Sequence, residues 1–157
     1  MSVRNFSPIG SQRYVLDEKN RVRLPATFVE ECDGEKLYIL PGIMNDSLYV
    51  MPKSVYDEKH SFLGESNIYD EEAQLVYSAI RAKTHEANVD QQNRIVVPED
   101  LKNMIGGDKE VVMLTKMDFL EIWGVTGFNN RPELVSTPNI RAELKKLGAM
   151  MAARGIQ

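Results

Sequence analysis

The sequence predicts an α+β fold, mainly β, made of two tandem β-β-α-β-β modules with connecting and C-terminal helices. Three observations predict it. First, Asp17-Glu18-Lys19-Asn20-Arg21-Val22-Arg23-Leu24-Pro25 and Asp90-Gln91-Gln92-Asn93-Arg94-Ile95-Val96-Val97-Pro98 repeat Asp, Asn, Arg and Pro in register at an offset of 73 residues (90 − 17 = 73), the mark of an internal duplication. Second, short apolar runs alternate with polar turns around each repeat. Third, each repeat ends in a proline that suits the first turn of a helix.

Residues 1–11 lack periodicity and read as a loose arm or a late strand partner. Tyr14 and Leu16 alternate with Val15, a compact polar turn runs from Asp17 to Asn20, and Val22-Arg23-Leu24 resumes alternation, which together read as a β-hairpin. Asn20 and Asn93 fall where such a turn needs positive φ, a conformation Asn tolerates best after Gly. Asp17 and Asp90 can accept hydrogen bonds from the amides of their own turns. A short helix follows each proline, with Phe28 and Val29 as the apolar side in copy one and Leu101, Met104 and Ile105 in copy two, ended by Gly34 and by Gly106-Gly107. Strand pairs then follow: Leu37 to Leu40 with Ser47 to Met51, and Val111 to Thr115 with Phe119 to Trp123.

Between the copies, Pro52 to His60 reads as a short helix and Glu71 to Lys83 as a longer one with Ala73, Val76, Ala79 and Ile80 on one side. Gly124 to Pro138, rich in Gly, Asn and Pro, reads as a loop, after which Ile140, Leu144, Leu147 and Met151 form a stripe at helical spacing. That stripe, with Met150, calls for core packing or a subunit contact rather than a ligand. The expected division is 1–60 for the first module, 61–84 for a connector helix, 85–126 for the second module and 127–157 for a loop and C-terminal helix.

A chain of 157 residues with 43% hydrophobic content is long enough to bury a core. Its apolar runs fall far short of the roughly 20 residues of a membrane-spanning helix, and the N-terminal segment lacks the apolar centre of a signal peptide, so a cytosolic protein is expected. Cys32 is the only cysteine; no intrachain disulfide is possible, and no neighbouring histidine would activate the thiol. His60 and His85 stand alone, without metal-ligand spacing. No serine nucleophile elbow, phosphate-binding glycine loop, zinc helix or nicotinamide fingerprint is present. Asp17 and Asp90 are accounted for by their turns and make no persuasive catalytic pair. Neither an enzyme, a cofactor, a metal nor a small-molecule substrate is expected.

The net charge of −4 argues against a generally basic coat, but the charge is unevenly spread. From Arg13 to Arg23, Arg13, Lys19, Arg21 and Arg23 outweigh Asp17 and Glu18 by two; from Asp90 to Leu101, Arg94 stands alone against Asp90, Glu99 and Asp100, a sum of −2. Turn geometry explains Asp and Asn, and the helix start explains Pro, but neither requires arginine at both Arg21 and Arg94. A planar guanidinium can chelate a phosphate or the edge of guanine. In a strand, Arg21 and Arg23 face away from Val22 and Leu24, with Arg13 across the hairpin. The candidate contacts to a phosphate or a base edge are therefore Lys19, Arg21, Arg23, Arg13 and Asn20, as the principal cluster, with Arg94 and Asn93 as a weaker twin.

The double turn, aliphatic strand, proline and short helix, with Tyr14-Val15-Leu16-Asp17, Ser47-Leu48-Tyr49-Val50 before Met51-Pro52, and Leu120-Glu121-Ile122-Trp123, resemble the MraZ family of bacterial transcriptional regulators over roughly residues 10–125. The resemblance implies two tandem swapped-hairpin modules of the AbrB type, interlocked into one pseudo-symmetric barrel. It implies a ring-like homo-oligomer on the nucleoid that binds direct repeats upstream of the division and cell-wall gene cluster. By position, the family's Lys and Arg fall on Lys19 and Arg21, and its second Arg on Arg94. The chain departs from the family at Asn20 and Asn93, usually Gly, at Gln92, usually Lys, and after each proline, where the family's helical Arg is missing. The residues also leave open a self-assembling module that binds a protein at its sheet edge or tail helix and does not bind DNA.

Overall fold

The computed structural model describes residues 6, 10–44, 46–135 and 140–155. Copy one supplies β1 (Ser11–Val15), β2 (Arg21–Arg23), α1 (Ala26–Glu31), β3 (Leu37–Pro41) and β4 (Ser47–Pro52), followed by α2 (Lys53–Lys59), α3 (Ser61–Gly64) and α4 (Glu71–Lys83). Copy two supplies β5 (His85–Ala87), β6 (Arg94–Val96), α5 (Glu99–Met104), β7 (Glu110–Thr115) and β8 (Leu120–Gly124), then α6 (Val125–Asn129), α7 (Pro132–Val135) and α8 (Ile140–Ala153). The fold is α+β and its strand pairs are antiparallel.

The expected local hairpin is not how β1 and β2 are paired. β1 joins β7, β5 joins β3, and β2 pairs with β6, so each copy completes the other. Strands of three to five residues cannot hold a two-stranded ladder alone; pairing across the copies puts Val22 directly opposite Ile95, and both are fully buried. The ladders form a six-stranded sheet in the order β1-β7-β8-β4-β3-β5 and a separate two-stranded sheet of β2 and β6. Among the described residues they do not close into one barrel. The order is symmetric about the β8–β4 contact, as a duplication predicts.

The main core lies between the two sheets. Val22, Leu24, Ile95 and Val97 of the small sheet and its exits pack with Phe28 and Leu101 from α1 and α5, and with Ile39, Leu48, Val50, Met113, Leu120 and Ile122 of the large sheet. Each such side chain removed from water contributes about 1.5–3 kcal/mol before entropy is charged against it. The opposite face of the large sheet is covered on one half by Val55 and Tyr56 of α2 with Ile80 of α4, and on the other by Phe128 of α6 against Trp123.

Some expectations shift. α4 buries no residue fully; Ala73, Tyr77 and Ile80 lie on its half-buried side, while Val76, at 50% exposure, and Ala79 face solvent. The stretch expected as a loop holds the one-turn helices α6 and α7. α8 forms, yet Leu144 and Leu147 of its stripe, with the neighbouring Met150, are exposed in the single chain, while Met151 is half-buried; the side chain of Ile140 lies outside the described residues. So does most of the N-terminal arm, except that Phe6 is buried with its ring 4.5 Å from that of Phe28 and its N–H donating to Met117 O at 2.7 Å.

Candidate nucleic-acid interface

Turn one is built by Asp17. Its Oδ1 accepts the amides of Lys19 and Arg21, both at 2.9 Å, and its Oδ2 accepts the Nε–H of Arg21 at 2.7 Å. Backbone bonds from Asn20 N to Asp17 O (3.0 Å) and Asp17 N to Arg21 O (2.9 Å) close the loop, and Asn20 takes φ 59°. Turn two repeats this: Asp90 Oδ1 accepts from Gln92 N (2.8 Å) and Arg94 N (2.9 Å), Oδ2 accepts from Arg94 Nε (2.8 Å), and Asn93 takes φ 62°. The backbone N–H of Arg21 first, and then its guanidinium and the Lys19 amide, hold the Asp17 carboxyl below its ordinary range against opposing desolvation. Arg94 N–H, then the Gln92 amide and the Arg94 guanidinium, do the same for Asp90.

This corrects the expectation that folding makes no demand on the arginines. Arg21 and Arg94 each clamp their own turn, four residues after the Asp. The clamp uses Nε and leaves the terminal amines out of that bond, with the side chains 33% and 26% exposed. Arg94 Nη1 also lies 3.9 Å from Asp17 Oδ2, joining the two turns in one charge network of two carboxylates and two guanidinia.

The β2–β6 pairing assembles a face no single copy holds. Arg23 stands opposite Arg94, and Arg21 opposite Val96, with Val22 and Ile95 turned inward. Leu24 N donates to Asn93 O and Val97 N to Asn20 O, both at 2.8 Å, so a turn sits at each end of the ladder. Among the described residues, the side chains of Lys19 and Arg23 make no hydrogen bond or ion pair, which leaves both charges free for an outside partner. Arg13 is elsewhere: on β1 in the large sheet, it is ion-paired to Glu110 at 3.0 Å. The corresponding position 73 residues on, Glu86, pairs with Lys36 at 3.1 Å, the same bridge with its signs reversed.

Two residues that sequence reading did not single out belong to this surface. Asn20 Nδ2 donates to Glu99 Oε2 at 2.7 Å, and Lys102 Nζ donates to Asn20 Oδ1 at 2.9 Å. Their helical spacing is visible in the sequence, but their position beside turn one follows only from the exchange of strands. Among the described residues, no group of three or more His, Cys, Asp or Glu could hold a metal ion, and no helix is long and apolar enough to cross a membrane.

Comparison with known proteins points in one direction. The family model of the MraZ protein matches residues 80–133, a span that holds turn two, β6, α5, β7 and β8. A transcriptional regulator MraZ of Leuconostoc citreum is 32% identical over 115 residues, covering 73% of this chain and 79% of that protein. Its namesake in Caldicellulosiruptor saccharolyticus is 31% identical over 144 residues, covering 89% and 98%. Another, from Corynebacterium jeikeium, is 35% identical over 108 residues, covering 69% and 74%.

Proposed function

The chain belongs to the MraZ family, and from that premise we propose that it is a transcriptional regulator, not an enzyme, that binds double-stranded DNA through the outer face of β2 and β6. The observation that carries this reading is the cross-copy pairing that gathers Arg21, Arg23 and Arg94 on one small sheet with Lys19 at its end. Lys19 and Arg23 are the phosphate contacts, since neither is spent on the fold. Arg21 and Arg94, held by their Nε atoms, present their terminal amines in a fixed direction, as reading a guanine edge requires. Asn20 and Asn93 shape the turns beside them, and Arg13, ion-paired on the large sheet, has at most an outer electrostatic part.

One such face is a weak binder. A bidentate Arg–guanine contact contributes about 1–3 kcal/mol of discrimination, and phosphate contacts weaken steeply with salt. A homo-oligomer that engages several repeated boxes at once raises effective concentration without new chemistry. The targets we propose are direct repeats in the promoter of the division and cell-wall gene cluster, bound on the nucleoid in the cytoplasm. Exposed Leu75 and Val76 of α4, with Leu144 and Leu147 of α8, offer apolar surface for self-association. The net charge of −4 then restrains binding to arbitrary DNA.

The test is a footprint on DNA upstream of the chain's own gene, with a mobility-shift titration of Lys19→Ala/Arg23→Ala. Protected direct repeats, and at least tenfold weaker binding by a variant whose thermal unfolding is unchanged, are expected. Undiminished binding by that variant overturns the site; no binding by the unmodified chain at low salt overturns the reading in favour of a protein-interaction module.

A further inference from the structure

We infer that Glu99 and Lys102 are positioning residues that brace turn one against α5 and make it the sequence-reading turn of the pair. The inference rests on the DNA-binding reading and adds to it a division of labour between the turns. Asn20 is gripped at both ends of its side-chain amide: Nδ2 donates to Glu99 Oε2 at 2.7 Å, and Oδ1 accepts from Lys102 Nζ at 2.9 Å. Its backbone carbonyl also accepts from Val97 N at 2.8 Å, from the strand that leads into α5. Glu99 and Lys102 are three residues apart and so share one side of that helix. A residue in the left-handed region is thus tied by three bonds to the opposite copy.

Turn two has no such brace. Asn93 adopts φ 62° and its carbonyl accepts from Leu24 N at 2.8 Å, as in turn one. However, the residues of α1 that stand 73 positions before Glu99 and Lys102 are Ala26 and Val29, which carry no polar side-chain atom. Among the described residues, the Asn93 side chain makes no hydrogen bond. Phosphate contacts tolerate side-chain motion, whereas base reading needs groups held to roughly half an ångström. Of the two arginines assigned to base edges, Arg21 leaves the braced turn and Arg94 the unbraced one, so turn one discriminates between bases more sharply than turn two. Glu99 also has a place in this scheme that anion binding alone does not give it: a carboxylate in the first turn of α5 suits the helix but opposes phosphate beside a DNA-facing turn, and its bond to Asn20 gives it a part in the site.

Two variants of the full chain separate bracing from charge. Glu99→Ala and Glu99→Gln both remove the negative charge, but only Gln keeps an oxygen to accept from Asn20 Nδ2. The readout is the ratio of dissociation constants for a random duplex and for the footprinted box, by fluorescence anisotropy at fixed salt. Glu99→Ala is expected to lower this ratio about tenfold, the order of one lost base contact, while Glu99→Gln keeps it and binds both duplexes more tightly. Equal ratios in the two variants overturn the inference while leaving DNA binding intact. Hydrogen exchange of the amides at 18–20, read without DNA, isolates the brace itself: faster exchange in Glu99→Ala than in Glu99→Gln supports it, with 91–93 unchanged, and equal exchange overturns it.

Discussion

Turn one and turn two share every feature that makes the turn: an Asp that accepts two backbone amides and an arginine Nε, an Asn at positive φ, and a carbonyl bond to the other copy. They differ in what points outward. Lys19 stands where turn two has Gln92, Arg23 where it has Val96, and Asn20 is braced where Asn93 is not. The repeated positions are therefore the folding positions, and the unmatched ones are where the copies have been given different work. This reverses the intuition that the residues a duplication repeats are the functional ones: the twice-written Asp and Arg hold the turn first, and the arginines offer an outside partner only what the clamp leaves over.

The largest effects should be blind to that difference. Phe28 and Leu101 occupy equivalent places in α1 and α5 and are fully buried in the shared core. Phe28→Ala should cost about 3–5 kcal/mol and Leu101→Ala about 2–5 kcal/mol in urea unfolding. A small loss from one and a large loss from the other would break the equivalence of the copies at the level of the core.

The next effect should expose it. Val96, at 52% exposure, is the one apolar member of the outer face and the counterpart of Arg23. Val96→Arg supplies the missing cation, so the slope of log affinity against log salt should steepen by about 0.9 for one added phosphate contact. Arg23→Val should flatten it by a similar amount. If Val96→Arg changes nothing, the DNA does not run across both halves of the small sheet.

Acid should act on both turns alike. The folded carboxyls of Asp17 and Asp90 lie below the ordinary value, held there chiefly by backbone N–H groups of Arg21 and Arg94. An unfolded chain takes up protons near pH 4 while the folded one resists, so their contribution is complete above that pH and is lost as pH falls through the folded values. The urea midpoint should drop between pH 5 and pH 3, and Asp17→Asn or Asp90→Asn should each flatten part of the drop. A flattening by one variant alone would show that the carboxylates carry unequal loads, with Arg94, which reaches both, as the place to look.

Much of this was legible from local chemistry. The two turns, the helices after Pro25 and Pro98, and the β3–β4 and β7–β8 pairs each depend on residues close in sequence. The partners of β1 and β2 were not legible, because Val22 could as well face Tyr14 as Ile95 until the whole core is assembled. Val76 and Tyr77 are adjacent, and a stripe running through Ala73 and Ile80 admits either, so the buried side of α4 was settled by Tyr56 and Leu40 beneath it. One-turn helices such as α6 are too short to show a period among Gly and Asn. At the site, the charges could be counted, but Arg21 could not be seen to spend its Nε on Asp17, nor Glu99 to reach Asn20 across 79 residues of sequence.

The smallest effect separates the turns most finely. Asn20 and Asn93 pay the same conformational penalty at φ 59° and 62°, and glycine at either site relieves roughly 1 kcal/mol or less of it. At Asn93 no side-chain bond is lost among the described residues, so Asn93→Gly should be neutral or slightly stabilising. At Asn20 the same change removes the bonds to Glu99 and Lys102, each contributing about 0.5–1.5 kcal/mol net and less where water competes. Asn20→Gly should therefore destabilise, with the two substitutions differing in sign by on the order of 1 kcal/mol. The decisive control is Asn20→Gly made together with Glu99→Ala: with its partner already gone, the asparagine should be worth less, and the non-additivity of the double-mutant cycle measures the brace directly. Full additivity would mean that Glu99 and Asn20 are neighbours without coupling, and Lys102 alone would then be left to brace turn one.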